Sequence, residues 1–416
     1  MTLNALRYGW LGFALAMLGI PLYIYLPTYY AQQSSLSLTA VGSALLLART
    51  FDVITDPLMG WWSDRLHAVF SRTKQMFVAS GVLLLGVYQL WLPDLNSLSW
   101  WQLFFWSFIT YLAWTSISIP YLAMSAEISR DEHHKTLLSS FREGFAIIGV
   151  LLVLSLPLIS GLAANQADFY ELLFGLFAAV FISGLVLLIK LPTLPAHKQS
   201  FTPPWFLIKQ LWQQQRQVFQ IMPSYFLNNF ANALPATLFL IFVSDYLQLE
   251  QQTGQFLFIY FLAGLLSLPI WIQLAKRFGK QPTWQASMLL ASISFIGVFL
   301  LEPGDATGFM MVSILTGLSL GIDVAMPASI QADLTQQVTN QQSTGLLFGL
   351  WGMLTKLALA LAVGIAFPVL EWNQTVNLEN TMATHFNLAD TTLLMLYAGL
   401  PILLKLWSWF LLKRLR

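Results

Sequence analysis

The chain has 416 residues, of which 57% are hydrophobic and 9% charged, with a formal net charge of +1. Soluble domains carry about 25% charged residues, so a soluble globular fold is excluded, and the near-neutral balance gives no basis for a nucleic-acid partner. Cysteine is absent, which removes disulfides, thiolate metal sites and cysteine nucleophiles.

The apolar residues come in blocks of about 20, the length needed to cross a ~30 Å hydrocarbon core as helix. Continuous runs of this kind suit helices and not the alternating strands of a barrel, so an all-α membrane protein is predicted. Spans fall near 7–31, 38–63, 75–93, 100–126, 140–163, 168–191, 219–246, 252–275, 283–301, 306–331, 343–370 and 392–413. The first block, Tyr8 to Ala31, is longer than a signal-peptide core and has no small-residue cleavage site, so it is read as a retained span. Basic residues recur on one side only: Arg65, Arg72 and Lys74; Arg130 and Lys135; Lys190, Lys198, Lys209 and Arg216; Lys276, Arg277 and Lys280; Lys413, Arg414 and Arg416. The loops opposite hold acids such as Asp94, Asp168, Glu302 and Glu379. The positive-inside rule then places both termini in the cytoplasm of a multi-pass protein, with the cell inner membrane as its expected location.

The second span carries the chemistry. In LLLARTFDVITDPLMGWWSDR, Arg49, Asp52 and Asp56 follow at spacings of three and four and share one helical face. A charge at mid-bilayer costs ~2.5–3.5 kcal/mol on insertion scales. Asp52 and Asp56, with Thr55 beside them, offer hard oxygens suited to Na⁺ or Li⁺, or share a proton, since two close carboxylates do not both ionise cheaply. Arg49 one turn away is placed to offset part of that charge; the alternative is a buried network that only fixes packing. Asp64 and Arg65 at the end of this span read as a gate or helix-end charge relay. Lys356 lies mid-way along span 11, which has no acid, so its counter-charge is expected from another helix. Asp323 in span 10 is either a second coupling carboxylate or an anchor for a kink at Pro327. Arg142 and Glu143 open span 5 as a cavity arginine or a surface pair. Asn228, Asn229 and Asn232 in span 7 either bind solute or bridge helices. The span 1 tyrosines Tyr23, Tyr25, Tyr29 and Tyr30 read as packing and interfacial belt.

Other patterns fail on context. Gly317-Leu-Ser319-Leu-Gly321 matches a serine nucleophile elbow but lies inside an apolar helix. All five histidines (67, 133, 134, 197, 385) fall outside the expected spans, so an intramembrane enzyme is not expected. No phosphate-binding loop is present to support ATP-driven pumping. The stretch 191–217, proline-rich and then amphipathic, divides the chain into bundles at 1–191 and 219–416 joined by a cytoplasmic linker, 192–218. DPLMGWWSDRL (56–66) and LPIWIQLAKRF (268–278) each place Pro eight residues before Arg at matching points of the two halves. Twelve spans in two parallel six-helix halves resemble the major facilitator superfamily fold.

At RTFDVITDPLMGWWSDR the chain resembles the glycoside–pentoside–hexuronide:cation symporters, typified by melibiose permease and related to the sodium-dependent lysolipid symporters. That resemblance implies a cation site built from Asp52, Asp56, Thr55 (where the family has Asn) and Thr115 in span 4. It implies that Lys356 and Arg142 are the family's cavity cations, and that the second and eleventh helices border one cavity, so that Lys356 competes with the ion for Asp52 and Asp56. The family's sugar-binding acids and tryptophan are replaced by Ala16, Ser118 and Leu122. The expected function is therefore symport of a small organic solute, not a typical sugar, by alternating access. No cofactor is expected beyond the coupling ion, Na⁺ or H⁺; the partners are the solute, that ion and the lipid bilayer. A proton-coupled exporter lacks support because the Gly-Pro-Gly-Gly bend of such proteins is missing from FAIIGVLLVLSLPLISGLAAN. A non-transporting receptor or scaffold would not need the Asp pair or Lys356.

Overall fold

A computed structural model describes residues 2–34, 36–67, 69–94, 98–129, 131–162, 166–191, 202–214, 216–337, 343–379 and 388–414. The described residues are almost wholly helical. They form α1 (Thr2–Met17), a π-helical turn (Pro21–Tyr25), α2 (Leu26–Gln33), α3 (Leu38–His67), α4 (Arg72–Trp91), α5 (Trp100–Glu127), α6 (Glu132–Ser160) and α7 (Ala167–Ile189). The amphipathic α8 (Pro204–Gln214) lies in the expected linker, whose residues 192–201 fall outside the described ones. There follow α9 (Arg216–Ile241), a π-helical turn (Phe242–Tyr246), α10 (Thr253–Phe278), α11 (Lys280–Ile296), α12 (Ala306–Gln337), α13 (Thr344–Glu379), α14 (Leu388–Leu394), a π-helical turn (Met395–Gly399) and α15 (Leu400–Lys413). Among the described residues, ten helical segments are long and apolar enough to cross a membrane. The helices α3 and α4, at the second and third expected spans, are outside those ten; α3 holds Arg49, Asp52 and Asp56 in its middle.

The helix ends follow local chemistry. Ser99 caps α5 in a capping box with Gln102, Asp131 caps α6 by accepting from the His134 amide, and Gly161 ends α6 at φ 72°. Two prolines sit inside helices that matter below. Pro57 in α3 and Pro120 in α5 have no N–H, so the Val53 and Ser116 carbonyls lose their helical donors.

The chain forms two compact units. The first comprises Met1–Gln215 with Ala328–Met353, the second Arg216–Pro327 with Leu354–Arg416. The division therefore departs from a single cut at the linker, because α12 and α13 each supply residues to both units. In the first unit α1 packs on α6 and α7, and α5 packs on α3 and α4. Its core is large and aromatic, with Trp91, Phe169, Tyr170, Phe177 and Phe181 fully buried. In the second unit α15 packs on α9 and α11, around a core that includes Phe242, stacked 4.0 Å from Tyr397.

Small residues let backbones approach, as expected where lipid supplies no hydrophobic drive between helices. Gly317 of α12 sits against the Tyr260 carbonyl of α10, and a Cβ there would also lie 3.0 Å from the Ala263 Cβ. Gly175 of α7 has nothing within 4 Å of that position. Gly317→Val is expected to cost about 1–3 kcal/mol by overpacking, whereas Gly175→Val is neutral. Thermal unfolding in detergent, with the second variant as control, measures the difference.

Candidate cation site and its surroundings

The first unit gathers a cluster of oxygens around one hydroxyl. Asp52 and Asp56 stand one turn apart on α3, and both are buried, at 5% and 1% exposure. Thr115 of α5, also buried, has its Oγ1 2.8 Å from Asp52 Oδ1 and 3.1 Å from Asp56 Oδ1. A hydroxyl carries a single proton to donate, so two carboxylates meeting at one hydroxyl hold more negative charge than it can satisfy. Two carboxylates this close favour a shared proton or another positive charge beside them. Pro57 directly follows Asp56, and Pro120 leaves the carbonyl of Ser116, next to Thr115, without its helical donor, so each helix lacks a backbone bond near the cluster.

Glycines of α13 shape the other wall. A Cβ at Gly352 would stand 2.6 Å from Asp56 Oδ2, and Gly349 lies against the Asp56 carbonyl. Both belong to the part of α13 that clusters with the first unit.

The other expected ligands take different places. Thr55 donates its hydroxyl to the Asp52 carbonyl at 3.1 Å, along its own helix, so it is not brought to the Asp52–Asp56–Thr115 cluster by its proton. Ser118 likewise reaches back to the Thr115 carbonyl at 3.5 Å. Arg49 does not pair with either aspartate; its guanidinium lies 4.3 Å above the Tyr23 ring. Arg142 is buried at 8% exposure and pairs with its neighbour Glu143. Lys356 belongs to the second unit.

A second charged cluster, at the basic end of α3, contains residues that the sequence patterns did not single out. Arg72, the first residue of α4 and 1% exposed, donates to Ser63 at 2.8 Å, to Asp64 at 2.7 Å and to Glu127 at 2.8 and 2.9 Å. Asp64 in turn accepts from the Gly345 and Leu346 amides at 2.7 and 2.8 Å, capping the N-terminus of α13, where an anion is favoured by the free amides and the helix dipole. Arg65 donates to the Thr202 carbonyl and stacks on Trp61. Asp64, expected beside Arg65 at a gate, is also part of an Asp64–Arg72–Glu127 cluster. His67 closes it, with Nε2 3.6 Å from Glu127 Oε2. Burial pushes the His67 imidazole below its usual 6.5, outweighing the pull of Glu127. Burial also raises Asp64, against the opposing effect of Arg72 and the two amides.

In the second unit Asp323 is saturated. Its Oδ1 accepts from Asn228 and Trp284, each at 3.0 Å, and its Oδ2 accepts from Asn232 at 3.0 Å and Lys405 at 2.8 Å. Lys405 also donates to Asn228 Oδ1 at 3.1 Å. The network ties α9, α11, α12 and α15 together, so Asn228 and Asn232 bridge helices, and Asp323 is an anchor held by Lys405. Asn229 bonds the Tyr225 carbonyl of its own helix. Lys405 went unremarked in the sequence although it carries the signal that marks Lys356, a lone lysine inside an apolar span.

Comparison with known proteins places this geometry in context. The family model described as "MFS/sugar transport protein" matches residues 7–416. An "Uncharacterized symporter YnaJ" of Bacillus subtilis is 24% identical over 88% of this chain and 82% of its own length. A mouse (Mus musculus) "Sodium-dependent lysophosphatidylcholine symporter 1" is 21% identical over 99% of this chain and 84% of its own length. Among solved structures, a bacterial homologue of the iron transporter ferroportin superposes with a TM-score of 0.71 at 14% identity, covering 100% of this chain and 99% of that one. The major facilitator transporter FucP gives 0.70 at 12% identity, covering 100% and 99%. These structural likenesses establish the fold.

The Arg72 cluster yields two expectations. Arg72→Gln leaves Asp64 and Glu127 buried without their cation and is expected to cost about 3–5 kcal/mol, read as a lowered melting temperature; Arg72→Lys, which has no fork to span both acids, does not restore it. Because the His67 pKa is lowered in the folded protein, its contribution is complete above about pH 6.5 and is lost as pH falls below that value. The stability difference between wild type and His67→Gln is therefore expected to shrink from pH 7.5 to pH 5.

Proposed function

The chain belongs to the MFS/sugar transport protein family, and on that premise we propose that Asp52, Asp56 and Thr115 hold the ion that drives it as a cation-coupled symporter of a small organic solute. The observation that carries this reading is the meeting of two buried carboxylates at the Thr115 hydroxyl. Na⁺ is the first choice, because a cluster of hard oxygens suits it; H⁺ is the alternative, since a shared proton satisfies the same geometry. Thr55 supplies an oxygen lone pair at most, its proton being spent on the helix.

The solute is proposed not to be a typical sugar, because Ala16, Ser118 and Leu122 stand where sugar-binding members of the resembling family have two acids and a tryptophan. An amphipathic or lysolipid-like solute is consistent with the names of the sodium-dependent relatives. Lys356 and Arg142 are proposed as the coupling and cavity cations. The Asp64–Arg72 cluster on the α13 N-terminus, with Arg65 beside it, is proposed as the element that a transport cycle must release. Transport is proposed to proceed by alternating access in a cell inner membrane with both termini cytoplasmic, on the strength of the one-sided basic loops.

Thermal unfolding of the purified protein tests the ion site. Na⁺ is expected to stabilise the wild type relative to choline at equal ionic strength, and Asp56→Asn is expected to abolish that shift. Gly352→Ala, which crowds Asp56 Oδ2, is expected to weaken the apparent Na⁺ affinity about tenfold with little change in stability without Na⁺. An Asp56→Asn protein with unaltered dependence on Na⁺ and pH would make the assignment wrong.

A further inference from the structure

The connection between the two halves carries charge of one sign only. No Asp or Glu occurs between Glu171 and Asp245, whereas Lys190, Lys198, Lys209 and Arg216 all fall in that stretch. Its helix, α8, has 11 residues, too few to cross a bilayer that takes about 20. Leu211 is buried and Leu207 and Ile208 are half-buried, so one apolar face of α8 lies against the protein. Trp205 and Trp212 flank that face and stay exposed, at 65% and 62%. Lys209, also exposed, stands four residues after the first tryptophan and three before the second, so the three side chains form one stripe.

The start of α8 is fixed to the basic end of α3. Trp61 donates its indole N–H to the Thr202 carbonyl at 2.9 Å, and Arg65 donates to the same oxygen. Thr202 stands two residues before Pro204, where α8 begins, so the helix is held close to its anchor. Trp62, next to Trp61, is exposed at 52%. An exposed indole at the end of a spanning helix marks the headgroup level, where its apolar body and its polar N–H both find suitable surroundings. A helix at that level buries its indoles at the acyl boundary while a lysine extends to the phosphates, and a connection free of acids does not repel an anionic surface.

We propose that α8 is an interfacial helix lying in the headgroup layer at the basic end of the bundle, with Trp205 and Trp212 inserted at the acyl boundary and Lys209 on the phosphate of an anionic phospholipid. This goes beyond the symport reading and holds whichever ion or solute is carried. The occupant of the stripe is a lipid surface and not a second copy of the chain. Its two indoles share the stripe with a lysine, and the whole connection has the charge that complements an anionic leaflet and repels its own duplicate. The Thr202 tether gives the contact a consequence: a lipid that holds α8 also holds the end of α3, the helix that carries Asp52 and Asp56.

The chain contains no cysteine, so a single introduced cysteine places a fluorophore on the full-length protein without background. A nitrobenzoxadiazole label at Trp205→Cys, or at Trp212→Cys with Trp205 left in place, reports on the stripe. The same label at Gln210→Cys, about 140° away from Trp205 around the helix, reports on the far flank. The labelled proteins are reconstituted in vesicles of phosphatidylcholine and phosphatidylglycerol, with bromine on the acyl chains of the phosphatidylglycerol or of an equal amount of the phosphatidylcholine. Labels in the stripe are expected to be quenched and the label on the far flank much less. Brominated phosphatidylglycerol is expected to quench the stripe about twofold more than brominated phosphatidylcholine, a preference that adding Lys209→Gln removes. An unquenched stripe, equal quenching of stripe and far flank, a stripe indifferent to headgroup, or a Lys209→Gln protein that keeps the preference would overturn the proposal. So would quenching of the stripe that disappears as the protein is crowded in the membrane, which would mark a second copy as the occupant. The label at Trp212→Cys decides if Trp205→Cys fails to fold. No readout involves the driving ion or the solute, so failure of the symport reading leaves the result intact.

Discussion

Two carboxylates share one hydroxyl inside an apolar bundle, and much of the first unit is arranged around that conflict. The Thr115 proton cannot satisfy both Asp52 and Asp56, and the low-dielectric surroundings make an unsatisfied acid expensive. A packing role alone would be better served by apolar residues of similar volume. Positive charge beside the pair lowers its cost, a property that the proposed driving ion would use. Pro57 and Pro120 weaken the two supporting helices at the same level, and the glycines of α13 bring a third backbone against Asp56 without adding a side chain.

The other charges divide by how fully they are satisfied. Asp323 accepts from Asn228, Asn232, Trp284, Ser287 and Lys405, so it fits a fixed strut for the second unit. The Arg72 cluster is also well satisfied, but one of its acids caps a helix N-terminus, a bond that can be exchanged for water when that helix moves. Arg49 rests on the ring of Tyr23. Saturated polar networks hold a shape, and unsaturated ones bind something. On that scale Asp323 fits a structural part, and the meeting of Asp52 and Asp56 at one hydroxyl fits the ion site proposed for them.

Much of the fold was legible because lipid imposes a simple rule: long apolar runs become helices, and basic loops mark one side. Asp52 and Asp56 stood out for the same reason, as acids where apolar residues should be. Thr115 is invisible to that logic, since a threonine in a membrane helix usually bonds its own backbone, and only the family resemblance drew attention to it. Thr55 did follow that habit and turned to the Asp52 carbonyl. Arg72 and Glu127 were passed over because charges at helix ends are ordinarily solvated, and nothing local in the sequence says that these two are buried together. His67 and His134 lie outside the expected spans, and nothing in the sequence shows that both are largely enclosed. The division of α12 and α13 between the two units depends on contacts hundreds of residues apart, which no periodicity records.

The central claim, that the Asp52–Asp56–Thr115 cluster takes up a cation within the membrane, is tested most directly by charge movement. Protein reconstituted on a solid-supported membrane and exposed to a Na⁺ concentration jump, without any solute, should give a transient charge displacement that saturates with Na⁺ and is abolished by Asp52→Asn; if the proton is the driving ion, a pH jump should produce the same signal. A wild-type protein that moves no charge in either jump, or an Asp52→Asn protein that moves as much as the wild type, would contradict the account.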